Sequence, residues 1–203
     1  MTIMYIHGYG SNGNATKGQL LRTMLPQCRI VSPTFDYLHC TPWQIQKQIH
    51  DYVKEEDVSM LVGSSFGGYH ALCATALFRG PVWTVNPVHD VVSTIGRVII
   101  NSLSSQGSHF DNELLDVYSD FNDKVFCSQS KLNQSGRWPA DTQLNFALST
   151  DDELLGDHQP LLDLFPHHDK VVWKDHCGHR FFRFDELQAD IEQSFGAKAA
   201  SAQ

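Results

Sequence analysis

What this chain has little of narrows its function first. No apolar run approaches the ~18 residues that would point to a membrane span. The N-terminal residues Thr2 to Ile6 read as a short strand, with no basic region followed by an apolar stretch of signal-peptide length. The expected location is therefore the cytoplasm, with no membrane as partner. Basic residues are also few: 15 Lys and Arg stand against 23 Asp and Glu, for a net charge of −8. They form no cluster, and binding a phosphate backbone needs clustered Lys or Arg, so nucleic acid is not an expected partner. Cysteine is sparse. Cys28, Cys40, Cys73, Cys127 and Cys177 lie far apart without a Cys-x-x-Cys pair, which excludes a disulfide framework and a thiolate zinc site and reads as reduced thiols. There is no internal repeat.

What is present is ordinary globular composition, 41% hydrophobic and 19% charged over 203 residues. That length can bury one sizeable core. One domain is expected over residues 1–196, with a frayed tail at 197–203. Strand-like runs at Thr2–Ile6, Arg29–Ser32, Val58–Val62, Val82–Asn86, Gln143–Leu148 and Lys170–Lys174 alternate with helical patterns. A first helix is expected from about Gln19 to Leu25, stopped by Pro26. A second is expected after Thr41 as N-cap with Pro42 at its first position, a third ends at Gly80-Pro81, and a closing helix spans Phe184 to Phe195. Such alternation predicts an α/β fold with a parallel, doubly wound sheet and helices on both faces. The interval 88–141 is long for one connection and reads as a helical insert, either a lid over a pocket or a pair of surface helices.

The chain converges on Val58 to His70. Its apolar strand breaks at Gly63 and resumes as a helix of small residues. The turn, Gly63-Ser64-Ser65-Phe66-Gly67, matches Gly-x-Ser-x-Gly, where the central serine sits on a strained corner above the sheet edge. Gly63, Gly67 and Gly68 would let the helix fold back against its strand. Ser65 is the candidate nucleophile.

A serine hydroxyl attacks only if a base takes its proton, and the base needs a carboxylate to hold its tautomer. In parallel sheets such groups gather beyond the carboxyl ends of the strands. Asp151 and Asp152 follow the fifth strand, and His176 and His179 follow the sixth, in the chain order Ser, Asp, His of the α/β-hydrolases. His179 is preferred over His176, because Gly178 permits a loop that returns the imidazole to the serine. Asp152 is preferred over Asp151, and Asp90 beyond the fourth strand is a third choice. The backbone N–H groups of Phe66 and of Tyr9, in the loop after the first strand, are the candidate oxyanion donors, each able to contribute roughly 3–4 kcal/mol at a transition state. Tyr9, Phe66 and Trp138 together point to a pocket for an apolar acyl chain.

Taken together, His7-Gly8-Tyr9 after an N-terminal strand, Gly63 to Tyr69, Val85-Asn86-Pro87, Thr150-Asp151-Asp152-Glu153 and Gly178-His179 resemble the small bacterial α/β-hydrolases of the YqiA-like esterase family. The resemblance implies a minimal hydrolase sheet of six mostly parallel strands in the order 2-1-3-4-5-6. It also implies esterase activity on small acyl esters without a cofactor, and the triad Ser65, Asp152 and His179. That family pattern has glycine before the acid where this chain has Asp151, so Asp151 and Asp152 both stay open.

Rival readings use other residues. Gly8-x-Gly10-x-x-Gly13 is a literal dinucleotide-binding fingerprint, with Asp36 as its ribose ligand. Against it, Asn14 to Gly18 intervene before the helix. His158, His167, His168 and His176 could be read as metal ligands, although they lack helical i, i+4 spacing. A third rival is a non-catalytic interaction protein on a hydrolase scaffold.

Overall fold

The structure is a computed structural model, and it describes residues 1–94 and 112–196. Residues 95–111, the middle of the expected insert, and 197–203, the expected frayed tail, lie outside the described residues. Six strands form one sheet: β1 (Thr2–Ile6), β2 (Arg29–Val31), β3 (Val58–Ser64), β4 (Pro81–Val85), β5 (Gln143–Ser149) and β6 (Lys170–Lys174). Their order is β2-β1-β3-β4-β5-β6, and every pairing is parallel. The chain leaves β1 toward β2 on one side and crosses to β3 on the other. The carboxyl ends of β1 and β3 therefore flank a topological switch point, where parallel sheets open a crevice.

Alternate strand residues serve two apolar layers, as the two-residue strand period dictates. Met4, Ile6, Leu61, Val82, Leu144, Phe146 and Leu148 face one layer with α2 (Pro42–Glu55) and α3 (Phe66–Ala74). Ile3, Tyr5, Met60, Val62, Trp83 and Val85 face the other. There α1 (Thr16–Met24) supplies Leu21 and Met24, while a 3₁₀ turn (Phe184–Leu187) and α8 (Gln188–Gly196) supply Leu187 and Ile191. The buried indole of Trp83 donates to Ser194 Oγ at 2.9 Å and fixes α8 to the sheet.

Thr41 caps α2 with a full capping box, its hydroxyl accepting from Gln44 N while Gln44 Oε1 accepts from Thr41 N at 2.7 Å. By contrast, α1 starts three residues earlier than expected. The third helix stops at Ala74 rather than reaching Gly80, and the chain goes on as tighter turns in which Ala76 N and Leu77 N donate three residues back, to Cys73 O and Ala74 O at 3.2 and 3.0 Å. Leu77, which the apolar pattern places on that helix, is 69% exposed. Every residue of α3 is buried, so that helix lies inside the fold rather than on it.

The insert is helical where described: α4 (Val91–Thr94), α5 (Asn112–Phe121), a π turn (Asn122–Phe126) and α6 (Cys127–Gln134). Tyr118, Phe121 and Phe126 are buried against α3, with the Phe126 and Tyr69 rings 5.1 Å apart. These helices are part of the core. A short α7 (Gln159–Leu164), which the sequence pattern does not announce, precedes β6 and buries Leu161.

Candidate active site

The corner after β3 is held by backbone contacts that only glycine permits. A Cβ on Gly67 would lie 2.1 Å from the Ile6 carbonyl oxygen, and one on Gly63 2.4 Å from that of Gly67. Helix and strand thus pack backbone to backbone. The geometry drives Ser65 to φ 56°, ψ −120°, a strained region for an L-residue. Its N–H donates to Val85 O at 2.9 Å, and its carbonyl accepts from Gly68 and Tyr69 at 2.9 and 3.2 Å. The side chain therefore stands clear of the sheet.

Ser65 Oγ lies 2.8 Å from His179 Nε2. On the far side of the ring, Nδ1 is 3.1 and 3.0 Å from Asp152 Oδ1 and Oδ2. With Nδ1–H donating to the carboxylate, the lone pair of Nε2 faces the serine hydroxyl. The carboxylate is fully buried and also accepts from the N–H groups of Leu154 and Leu155, at 3.0 and 2.8 Å. Burial alone would raise its pKa. The neighbouring His158 and His179 rings and the Leu155 N–H outweigh burial and hold the group well below the usual carboxylate range. The structure thus brings together Ser65, Asp152 and His179, which lie 114 and 27 residues apart pairwise in sequence.

Asp151 does something else. Its Oδ1 accepts from Ser149 Oγ at 2.5 Å and from the N–H groups of Cys177 and Gly178 at 3.0 and 3.1 Å. It anchors the loop that carries His179, and the two adjacent aspartates divide the work between orienting a ring and holding its loop. Glu153 adds to this by accepting from His179 N at 2.7 Å. Asp90, the third candidate, accepts from Ser93 N at 3.1 Å and caps α4. His176 is exposed and stands in the same loop at φ 56°.

Two buried side chains in this region escape sequence reasoning. Asn86, at φ 42° just past β4, donates from Nδ2 to the carbonyls of Gly178 and His179 at 3.0 and 3.1 Å and accepts from Ser149 N at 2.8 Å. One amide thus ties the ends of β4 and β5 to the histidine loop. The Asn-Pro pair after a strand was the available signal. His158, just before α7, sets its Nε2 3.2 Å from Asp152 Oδ2 with both side chains fully buried. The separation is that of a hydrogen bond but the alignment is not, and neither ring nitrogen has a well-aligned partner. No local pattern marks it.

The loop after β1 closes the other side. A Cβ on Gly8 would lie 3.2 Å from Ser65 Cβ and 3.7 Å from its Oγ. His7 pegs the loop: its Nε2 accepts from Phe35 N at 2.9 Å while Nδ1 donates to Gly8 O at 2.8 Å. Burial lowers the pKa of His7, against the Gly8 bond that raises it, which suits the neutral ring this pattern needs. The rings of Tyr9 and Phe66 meet edge to face at 6.5 Å. Both residues border a cavity of about 530 Å³ with Ser65, His179, Leu154 and Phe182. Trp138, expected in that pocket, instead packs on Phe165 and donates to Thr142 O at 3.1 Å.

The glycine pattern of the dinucleotide reading has a different use. A Cβ on Gly13 would lie 2.1 Å from Ser32 O, so the third glycine lets the loop press on the chain after β2, and the helix starts later at Thr16. Asp36 caps its own turn, accepting from Leu38 N and His39 N, each at 3.1 Å. Among the described residues no group of three or more His, Cys, Asp or Glu is gathered to hold a metal ion. No described helix is long and apolar enough to cross a membrane.

Comparison with known proteins gives the same architecture. The model of an uncharacterised protein family, UPF0227, matches residues 2–195. Among solved structures, the chain is similar to MGS-MChE2, an alpha/beta hydrolase enzyme from the metagenome of sediments of the lagoon of Mar Chica, at TM-score 0.64 and 16% identity over 98% of this chain and 92% of that one. It is also similar to the Paleococcus ferrophilus monoacylglycerol lipase, at TM-score 0.66 and 12% identity over 94% and 91% of the two chains. The esterase domain from a Rhodothermus marinus protein matches at TM-score 0.66 and 16% identity over 98% and 85%. At such identities the likeness is one of fold, and that fold is the α/β-hydrolase fold.

Proposed function

Since the chain belongs to the UPF0227, or YqiA-like, family and folds as an α/β-hydrolase, we propose that it is a serine hydrolase, a carboxylesterase acting on small acyl esters. The observation that supports this most directly is the unbroken chain of contacts from Ser65 Oγ through the His179 ring to the buried Asp152 carboxylate. In this reading Ser65 Oγ bonds to the ester carbonyl carbon as its proton passes to His179 Nε2. The imidazolium that forms is stabilised by Asp152, which stays ionised throughout. Negative charge builds on the former carbonyl oxygen. The backbone N–H of Phe66, at the open first turn of α3, and that of Tyr9 are the proposed donors to it, with the helix dipole aiding. When the tetrahedral adduct collapses, His179 returns the proton to the departing alcohol. Water, activated by the same histidine, then releases the acid from the acyl-enzyme.

Residues 1–196 form the proposed hydrolase domain, with Val88 and Thr94 of the insert bordering the cavity, and the protein is proposed to work in the cytoplasm. The test is labelling with a fluorophosphonate probe, together with a chain-length series of p-nitrophenyl esters on wild type and Ser65→Ala. Rapid labelling and turnover that vanish in the variant are expected. Turnover that survives Ser65→Ala would end this reading.

A further inference from the structure

The charges that line the cavity are unlike those of the chain as a whole, although the carboxylates of Asp152 and Glu153 stand behind the lining on His179. Acidic residues outnumber basic ones 23 to 15 in the sequence, yet no Asp or Glu lines the cavity beside Ser65 among the described residues. Its charged lining residues, apart from His179, are Lys17 and Arg180. They come from separate segments, Lys17 from the first turn of α1 and Arg180 from the position directly after the proposed base.

Lys17 is not placed where its helix alone would want it. The first turn of a helix favours negative charge, because the macrodipole is positive there. A lysine at that point works against its own helix. The Lys17 ammonium donates from Nζ to the Arg180 carbonyl oxygen at 2.6 Å, which ties together the two segments that bring cations to the cavity lining. Among the described residues neither forms a salt bridge, although most other cations near the sheet ends do: Lys174 pairs with Glu186, and Arg183 with the same carboxylate. Burial pushes the Lys17 pKa down to about 8, with Arg180 pushing the same way. The carbonyl bond accounts for one of three ammonium donors and for none of the guanidinium.

We propose that this cavity takes esters bearing an oxyanion group, a carboxylate or a phosphate, held between Lys17 Nζ and the Arg180 guanidinium on the leaving-group side of Ser65. The side follows from the chemistry. A departing alcohol must lie against His179 Nε2 to receive its proton, and Arg180 is the next residue in the chain. An anion seated there relieves the repulsion between the cations and finds the fork of donors that matches carboxylate and phosphate. The proposal rests on Ser65 being the nucleophile, but the anion site can be tested apart from it.

The test uses matched esters that differ in leaving-group charge: p-acetoxybenzoate and p-acetoxyphenyl phosphate against methyl p-acetoxybenzoate. Wild type is expected to favour the anionic members in kcat/KM by about tenfold or more, the scale of one charge-assisted contact. In Arg180→Gln, whose backbone carbonyl still receives the lysine, the anionic-to-neutral ratio is expected to fall about tenfold, and Lys17→Met is expected to do the same. A variant that merely loosened the loop would slow all three esters alike and leave the ratio in place. An unchanged ratio in both variants, or no preference in wild type, overturns the proposal. Selectivity for mono-p-nitrophenyl glutarate over p-nitrophenyl pentanoate, without leaving-group selectivity, overturns the assigned side. Calorimetric titration of p-acetoxybenzoate into Ser65→Ala separates the two readings. Binding that weakens with salt and with Arg180→Gln upholds the anion site even if hydrolysis were absent, whereas turnover without such binding defeats the anion site alone.

Discussion

Replacing each of the two adjacent aspartates by asparagine tests how the site divides its work. Asp152 Oδ1 accepts from two backbone N–H groups, those of Leu154 and Leu155. In Asp152→Asn the amide oxygen must stay there, because turning it away would leave both donors buried and unpaired. The amide NH₂ then takes the Oδ2 position, 3.0 Å from His179 Nδ1, and leaves the already shared Oδ1, at 3.1 Å, as the one acceptor for the ring. A donor facing Nδ1 favours the imidazole tautomer with its proton on Nε2, which cannot accept from the serine. The expected loss in kcat is about 10⁴-fold, or about 5.5 kcal/mol of barrier, as for the same change in other serine triads. In Asp151→Asn the amide oxygen keeps all three donors that Oδ1 now holds, from Ser149, Cys177 and Gly178. Only an exposed charge is lost, and turnover is expected to stay within about tenfold of wild type. The assay is p-nitrophenyl butyrate turnover at neutral pH, with fluorophosphonate labelling rates alongside. Equal losses in the two variants, or a larger one in Asp151→Asn, would refute the reasoning.

Other consequences are open to measurement. Because burial opposes ionisation of Asp152 but its partners prevail, its folded-state pKa is depressed. Its contribution to stability is present above the ordinary carboxylate value of about 3.9 and is lost as pH falls through the lower folded one. The urea stability gap between wild type and Asp152→Asn should thus hold steady from neutrality down to about pH 5 and narrow below about pH 4. A gap that widens on acidification contradicts this. Asn86→Ala removes three buried hydrogen bonds and should cost about 3 kcal/mol in urea unfolding along with most turnover; a loss under about 1 kcal/mol would show that the amide does not tie the loops. Gly67→Ala places a methyl 2.1 Å from Ile6 O and should fail to fold or melt far lower. Gly10→Ala, at φ 69° with nothing within 4 Å, should cost only about 1 kcal/mol of backbone strain; thermal melts that rank the two alike would contradict the close packing of α3. Finally, kcat/KM reports the free enzyme, so the anionic-to-neutral ester ratio should drop as pH rises through about 8, where Lys17 loses its charge. A flat ratio across that range would remove Lys17 from the anion site.

The strands, their parallel pairing and the serine corner were legible because each rests on local chemistry: β-rich runs bounded by Gly or Pro, and a glycine spacing that permits one sharp turn. Asp152 could be preferred over Asp151 but not separated from it, since both stand at the end of the same strand and only the fold decides which carboxylate turns inward. Asn86 and His158 could be named from the sequence but their contacts could not be read, for a related reason. Asn86 reaches Gly178, 92 residues away, and His158 stands against the buried Asp152 carboxylate only once the chain is folded. Helix α7 went unread because it is only six residues long with proline near its start, too short for a helical period to register. The third helix was drawn too long because Leu77 continues its apolar pattern, while the backbone passes into three-residue turns after Ala74. Trp138 was placed in the pocket on composition alone, and composition carries no direction.

Among the described residues, five non-glycine positions have positive φ, and Asp57 is the outlier in place, at the start of β3. Ser65, Asn86, His176 and Phe181 all sit beyond the carboxyl ends of strands, around the proposed chemistry. Each such backbone costs on the order of 1–3 kcal/mol, carried by the packed sheet beneath. Selecting variants of this chain for melting temperature alone would therefore gather glycines on one rim, and the hardiest survivors would be inert.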